Sequence, residues 1–406
     1  MNIFSEVMHT MHVKKIVWGG LLPFFLLFNT ACFASGESDV KALTKEEAQT
    51  AVENLLAERS KEFLAAYESE WDRGVLEHDG YSMPFYATVF GNAPSSGRSM
   101  VISLHGGGGA PSYVNDEQWE NQKYLYQLDE GLYFVPRAPT DTWDLWHQSY
   151  MDGFIEKAIA LAVLKEGVNP RKVYLMGYSA GGDGTYQLAT RMPDLFAGAA
   201  MSAGHPGDAH IENLYNLPFG IYMGGQDSDY DRNLHAADWG NRLDQLTQDS
   251  GGAYPHDVRI FPYYGHWMEG EDAVSIPWMK QYIRASIPYE VYWIQDDVLR
   301  DNFYWLSTVD ESKYQNAAIN VFYNDEESFF YIRDTTNVDS FIININDEMC
   351  DLDKSITIYR NDRAIFEGVI PRTENNIKKD IEAMRDSNLI FPAKILINGM
   401  DAQIVY

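Results

Sequence analysis

Short apolar runs that alternate with longer helical patterns constrain the fold of this chain more than any other feature. The apolar runs lie at 132–135, 173–176, 198–201, 219–223 and 258–261, and helical patterns lie at 153–166 and after residue 182. Strands joined by helices of this length need crossover connections, which give a mostly parallel sheet covered by helices on both faces. The sequence therefore predicts an α/β fold with its functional site beyond the carboxyl ends of the strands.

Two further elements precede this alternation. Thr44 and Glu47 have the spacing of a capping box, which predicts a helix from there to near Trp71 within an N-terminal helical segment, 35–80. Strands are predicted at 83–90 and 100–104. Because the loop between them is rich in glycine, proline and serine, we expect these two strands to form a hairpin.

The character of the sequence changes near residue 289, where the predicted catalytic domain at 81–288 ends. Short β-type runs separated by Asn-Asp and Asp-Glu turns follow, and one helix is predicted at 377–384. The runs lie at 290–294, 317–323, 328–332, 340–345, 355–359, 364–370 and 393–397. This pattern predicts a C-terminal β-sandwich-like module over 289–406. Glycan binding, dimerisation and packing remain open as its role.

The N-terminus has the pattern of an export signal over residues 1–34. Lys14 and Lys15 precede an apolar stretch at 16–28, and small residues follow it. The stretch is too short for a comfortable membrane span. Cleavage after Ala34 would release the protein, whereas cleavage before Cys32 would leave a lipid anchor. We favour release, to the periplasm or beyond, because the residue three before the cysteine is Asn where lipoprotein signals usually carry Leu.

Charge and cysteine content exclude some classes of protein. The 406 residues include 59 acidic and 31 basic side chains, a formal net charge of −28, which repels phosphate backbones and argues against nucleic acid as a partner. Cys350 is the only cysteine besides the one in the signal. The core must therefore be stable without an intramolecular disulfide.

A candidate nucleophile, Ser179, lies in the sequence GYSAG at 177–181. A serine hydroxyl reacts with a carbonyl only if a base takes its proton and the backbone projects it. The motif follows a predicted strand and precedes a predicted helix, and this strand–turn–helix context exposes such a serine.

Glycines suited to binding an oxyanion follow the strand at 100–104, in the sequence HGGGG at 105–109. Backbone N–H groups without crowding side chains can stabilise the charge that develops on a carbonyl oxygen. We expect donors from Gly106 or Gly107, together with the amide of Ala180. A flexible loop is the alternative, and a phosphate loop would need a following Lys-Ser or Lys-Thr, which is missing.

The candidate acid is Asp227, which follows the apolar run at 219–223. A carboxylate there can orient an imidazole and stabilise its cation. Asp229 and Asp231 are rivals. The three also resemble the start of a calcium loop, but Arg232 stands where that loop needs glycine.

The candidate base is His266, in a Gly-His-Trp sequence after the last predicted core strand. An imidazole titrates near neutrality and can accept the serine proton and return it to the leaving group. The order Ser, Asp, His along the chain fits this assignment, and none of the histidines at 147, 205, 210, 235 and 256 has an equivalent setting.

Several side chains around these motifs are candidates for a substrate pocket, with ordinary packing as the alternative. Trp143 and Trp146 follow the strand at 132–135, on the predicted functional edge. His105, Tyr178 and Trp267 flank the predicted catalytic groups.

In these motifs the chain resembles the α/β-hydrolase superfamily, and within it exported esterases similar to feruloyl esterases and polyhydroxyalkanoate depolymerases. The resemblance covers about residues 80–285 and weakly includes the C-terminal module. It implies an α/β-hydrolase fold, nucleophilic Ser179, orienting Asp227 and base His266, with neither metal nor organic cofactor. The implied substrate is a small-molecule or carbohydrate-linked ester. Depolymerases of solid polymer often carry disulfides, which are missing here.

Two other functions remain open. Prolyl-oligopeptidase-like peptidases share the fold and the serine motif, but they usually place a β-propeller first, and the segment before residue 80 is too short for one. A non-catalytic binding protein could also retain a hydrolase fold.

Overall fold

The structure of the protein is a computed structural model that describes residues 41–309, 314–382, 384 and 386–406. The predicted export signal, with Cys32, lies outside the described residues. The described residues from Lys41 to Tyr406 form one compact unit. No helix within these ranges is long and apolar enough to span a membrane.

The N-terminal segment is a long helix, α1 (Lys45–Arg73). The predicted capping box is confirmed: the N–H of Glu47 donates to Thr44 Oγ1 at 3.1 Å, and the N–H of Thr44 donates to Glu47 Oε2 at 2.9 Å. The helix ends at Gly74, whose φ of 70° lies in the left-handed region that favours glycine.

An eight-stranded sheet forms the centre of the molecule, with five further helices along its sequence. The strands are β1 (Val75–His78), β2 (Tyr81–Phe90), β3 (Arg98–Leu104), β4 (Gly131–Pro136), β5 (Val168–Tyr178), β6 (Gly198–Ser202), β7 (Phe219–Gly224) and β8 (His256–Phe261). The helices are α2 (Ser112–Leu125), α3 (Tyr150–Glu166), α4 (Ala180–Arg191), α5 (Arg232–Ser250) and α6 (Ser275–Met279). The strand order is β1-β2-β4-β3-β5-β6-β7-β8, and β3 to β8 run parallel. The predicted α/β architecture is confirmed.

The predicted hairpin of β2 and β3 is wrong. Strand β4 lies between them, antiparallel to β2 through Tyr86 and Val135 and parallel to β3 through Ile102 and Phe134. Six of the seven residues of β3 are buried, so this strand needs neighbours on both edges and helices on both faces. The glycine-rich loop after β2 carries the chain past β4 rather than turning it back.

The C-terminal part contains two five-stranded sheets that share one hydrophobic core, as the sandwich prediction requires. The strands are β9 (Glu290–Ile294), β10 (Asn302–Phe303), β11 (Leu306–Thr308), β12 (Ala318–Asn324), β13 (Phe329–Thr336), β14 (Ser340–Ile345), β15 (Ile356–Arg360), β16 (Arg363–Gly368), β17 (Ala393–Asn398) and β18 (Asp401–Val405). The sheets have the orders β10-β11-β14-β17-β18 and β16-β15-β13-β12-β9. The predicted helix is confirmed as α7 (Glu374–Glu382).

Candidate active site

Ser179 lies at the sharp turn between β5 and α4, where the sequence predicts it. Its φ of 58° and ψ of −122° are strained for a residue with a side chain. The flanking glycines make the turn possible: a Cβ on Gly177 would lie 2.1 Å from the carbonyl oxygen of Gly181. The N–H of Ser179 donates to the carbonyl of Ser202 at the end of β6 at 2.9 Å, which fixes the turn.

The structure brings Ser179, His266 and Asp227 together in one chain of hydrogen bonds. Nε2 of His266 lies 2.9 Å from Ser179 Oγ, and Nδ1 lies 2.7 Å from Asp227 Oδ2. A carboxylate can only accept, so Nδ1 carries the proton and Nε2 is free to accept the serine hydroxyl proton. This is the tautomer that a general base needs.

The position of Asp227 distinguishes it from its two rivals. Its side chain is 2% exposed and faces His266 at the end of β7. Asp229 and Asp231 are exposed on the short helical turn before α5. The three carboxylates therefore do not converge as they would in a calcium loop. Nη1 of Arg232 lies 3.9 Å from Asp227 Oδ1, so the residue that departs from the calcium pattern is paired with the acid.

The glycine loop lies directly against Ser179. A Cβ on Gly106 would lie 3.1 Å from Ser179 Cβ, so a larger side chain here would crowd the serine. Gly107 has a φ of 109°. Ala180 is the first residue of α4, so its N–H has no acceptor within the helix. The amides that the sequence predicts as oxyanion donors thus flank Ser179 on two sides.

His105 lies below this loop and not in the cleft, unlike the sequence prediction. It is fully buried. Its Nδ1 donates to the carbonyl of Gly106 at 2.6 Å, and its Nε2 accepts the N–H of Ala138 at 3.0 Å. Burial lowers the pKa of His105 to about 4, so the ring is neutral near pH 7. The side chain therefore fixes the backbone of the glycine loop.

A cleft of about 770 Å³ opens beside Ser179 and His266. Its walls are aromatic, amide and aliphatic side chains and one glutamate, together with the first two loop glycines. The lining residues include Gly106, Gly107, Gln118, Asn121, Tyr124, Tyr178 and Trp267. Sequence reasoning missed the contribution of α2. The signal available was the polar sequence of this helix, which follows the glycine loop directly.

The predicted pocket residues occupy different surroundings. Tyr178 and Trp267 line the main cleft, where Trp267 is 52% exposed. The hydroxyl of Tyr178 is already engaged: it donates to the carbonyl of His266 at 2.6 Å and accepts the N–H of Met268 at 2.9 Å. Trp143 and Trp146 line a smaller neighbouring cavity of about 160 Å³, the first exposed and the second buried.

The strand order and the strained serine turn between β5 and α4 together decide the fold. The chain has the α/β-hydrolase fold. Topology and turn confirm this expectation of the sequence.

Comparison with known proteins gives matches to solved structures. No protein-family model matches the chain, and no curated protein matches it. A thermostable esterase is 17% identical with a TM-score of 0.38, covering 52% of this chain and 64% of its own. An acetyl xylan esterase from Aspergillus awamori is 16% identical with a TM-score of 0.35, covering 48% and 93%. A fluorophosphonate-binding serine hydrolase of Staphylococcus aureus is 15% identical with a TM-score of 0.36, covering 50% and 93%.

Proposed function

We propose that this protein is a serine hydrolase that cleaves carboxylic esters through an acyl-enzyme intermediate. The observation that carries the proposal is the hydrogen-bonded chain from Asp227 through His266 to Ser179, with the serine held at positive φ beside an open cleft. A strained backbone is retained where surrounding structure over-determines it, which occurs most often at functional sites.

The geometry gives each group a step in the reaction. His266 Nε2 takes the proton of Ser179 Oγ as the oxygen bonds to the ester carbonyl carbon. The carbonyl oxygen becomes an anion beside the amides of Ala180 and of Gly106 or Gly107. The carbon–oxygen bond to the alcohol then breaks, and the alcohol leaves with the proton from His266. Water repeats the sequence and releases the acid. Asp227 stabilises the imidazolium in both halves.

The walls of the cleft indicate the kind of ester. Trp267 and Tyr124 offer exposed aromatic faces, and the amides of Gln118 and Asn121 offer donors and acceptors beside them. We propose a small-molecule or carbohydrate-linked ester with both apolar and hydroxyl-bearing parts. The N-terminal pattern supports export as part of this proposal, and the net charge of −28 argues against nucleic acid as a partner.

The test is turnover of a panel of p-nitrophenyl acyl esters, feruloyl esters and peptide amides by the wild-type protein and Ser179→Ala. We expect ester hydrolysis to fall by several orders of magnitude in the variant. Ser228→Ala, an exposed serine beside Asp227, is the matched control and should retain activity. Hydrolysis that survives Ser179→Ala, or a fluorophosphonate label on another residue, would overturn the proposal. Preference for the amides would favour a peptidase.

A further inference from the structure

A second cluster of ligating groups lies away from the catalytic serine, where the catalytic domain meets the C-terminal module. It consists of His147, in the loop between β4 and α3, and Asp296 and Asp297, just after β9. Each offers one ligand atom, and these atoms lie within 4.8 Å of one another. Among the residues that the structure describes, this is the one group of three or more His, Cys, Asp or Glu side chains so placed. The proposed catalysis does not use it.

Asp296 carries the observation that points to a ligand. The residue is only 4% exposed, and its Oδ2 atom has no hydrogen-bond partner. A buried carboxylate oxygen without a partner is costly, and a bound cation would remove this cost. The other oxygen, Oδ1, accepts the N–H of Asp297 at 2.8 Å, which fixes the orientation of the carboxylate.

His147 is held in place from two sides. Its backbone N–H donates to the carbonyl of Asp144 at 2.9 Å, and its backbone carbonyl accepts a hydrogen bond from Nη1 of Arg191 at 2.9 Å. Its Nε2 lies 2.9 Å from Asp297 Oδ1. Ligand atoms around a tetrahedral zinc ion lie about 3.3 Å apart, given bonds of about 2.0–2.1 Å. His147 Nε2 and Asp297 Oδ1 are therefore already close to the spacing of two zinc ligands. The side chain of Asp297 is exposed and can adjust to the ion.

The surrounding charges are compatible with a bound cation. Arg191 is the positive charge that acts on Asp296, but its guanidinium is engaged with Asp152 through Nε at 2.9 Å and Nη2 at 2.6 Å. Asp208 adds negative charge that acts on Asp296. His147 and Asp208 both line the cavity of about 160 Å³, so one of the three proposed ligands borders this cavity.

We propose that His147, Asp296 and Asp297 bind a divalent transition-metal ion, of which Zn²⁺ is the best probe. One imidazole and two carboxylates are a donor set that suits zinc and related ions, whereas calcium prefers oxygen ligands alone. Since His147 belongs to the catalytic domain and the two aspartates to the chain leaving β9, the ion would link the two parts. This proposal does not depend on the proposed esterase activity.

The test measures Zn²⁺ binding by the full chain after chelator treatment, with titration calorimetry and thermal unfolding. We expect one ion per chain and a rise in the unfolding temperature. Asp296→Asn keeps the shape of the side chain but removes its charge, and should weaken binding about tenfold or more. His147→Gln replaces a partly exposed ligand and should do the same, which provides a second variant if the buried substitution prevents folding.

Two control variants separate this site from other histidines. His256 Nε2 lies 3.1 Å from Asp244 Oδ1, a similar pair outside any such cluster, so His256→Gln should bind Zn²⁺ as the wild type does. His266→Gln should also retain binding. Absence of binding by the wild type, unchanged binding in His147→Gln, or loss only in His266→Gln would overturn the proposal.

Discussion

Ser179 combines a strained backbone with a side chain that faces His266. Its backbone conformation costs about 1–3 kcal/mol, and the hydrogen bond to Ser202 together with the tight packing of Gly177 on Gly181 maintains it. No side-chain rearrangement is then needed for Oγ to meet both His266 and a substrate in the cleft. The strained turn therefore accounts for the position of Ser179 Oγ beside His266 and the cleft.

Asp227→Asn tests which carboxylate orients the base. An asparagine cannot stabilise the imidazolium and favours the wrong ring tautomer, so we expect kcat to fall by about 10⁴, as in other triads. Asp229→Asn is the matched control, because this exposed carboxylate has the same chemistry without facing His266. Steady-state kinetics on one ester decides the matter. Equal losses in the two variants would contradict the assignment.

Because His105 is buried, we expect the protein to lose stability in mild acid. Burial lowers its pKa to about 4, whereas the unfolded chain has the ordinary value of about 6.5. The unfolded state therefore binds more protons between these values. The stabilisation from the neutral ring is present above pH 6.5 and is lost as pH falls towards 4, by about 3 kcal/mol in all.

Urea unfolding at pH 7 and at pH 4.5 measures this effect. We expect His105→Gln to be less stable at pH 7, because the bonds to Gly106 and Ala138 are altered, and to lose less stability on acidification than the wild type. An identical pH dependence in the two proteins would show that His105 is not the titrating group.

At the scale of elements, the end of β5 positions the loop that carries His266. Tyr178, one residue before the nucleophile, connects through its hydroxyl to the backbone on both sides of Trp267. The loop between β8 and α6 is otherwise partly exposed around His266. The tyrosine thus fixes the histidine relative to the serine from within the sheet.

Tyr178→Phe should separate this positioning role from substrate binding. The phenyl ring preserves the wall of the cleft, but the carbonyl of His266 and the N–H of Met268 lose their partners, at a cost of about 1–3 kcal/mol. We expect kcat to fall while KM changes little, with a lower unfolding temperature. Trp267→Phe is the control, because it alters the exposed wall and should act mainly on KM. A Tyr178→Phe enzyme with raised KM alone would contradict the positioning role.

The sequence predicts those features of the fold and site that depend on neighbouring residues, and it fails for those that depend on contacts between distant residues. Strand–helix alternation predicts the parallel sheet, and the capping box at Thr44 predicts the start of α1. The order of strands is set by pairing across the chain, which is why the expected hairpin of β2 and β3 is wrong. Ser179, Asp227 and His266 each follow a strand end, so the sequence could predict that they lie together. The burial of His105 depends on the partner Ala138, more than thirty residues away, and has no local pattern.

At the scale of the whole molecule, α1 joins the two parts of the chain. Near its start it packs against Ile377 and Ile381 of α7, and near its end Phe63 and Trp71 enter the core of the main sheet. The end of β9 makes a second connection: the side-chain amide of Asn213 donates to the carbonyl of Ile294 at 2.8 Å and accepts its N–H at 2.7 Å. The two cores are therefore expected to unfold together.

Arg300 provides the test of that coupling. It extends from the C-terminal part to α3, where Nη1 donates to Asp152 at 3.1 Å and Nη2 donates to Glu156 at 2.8 Å. The residue is 8% exposed, so replacing it removes two charge-assisted hydrogen bonds between the two parts, while Asp152 keeps its bonds to Arg191. Arg300→Met should lower the free energy of unfolding by about 2 kcal/mol, the loss expected for buried hydrogen bonds to charged groups.

Guanidinium unfolding followed by fluorescence, with limited proteolysis, measures both the loss and its location. Arg259→Met is the matched control: Arg259 pairs with Asp257 with its side chain 44% exposed, and its loss should cost about 0–1 kcal/mol. If the contacts of Arg300 couple the two cores, its replacement makes the transition biphasic and opens cleavage sites near residue 300, since the C-terminal part is released while the main sheet stays folded. A single transition whose free energy of unfolding changes by less than 1 kcal/mol would mean that α1 and Asn213 hold the two parts together without the contacts of Arg300.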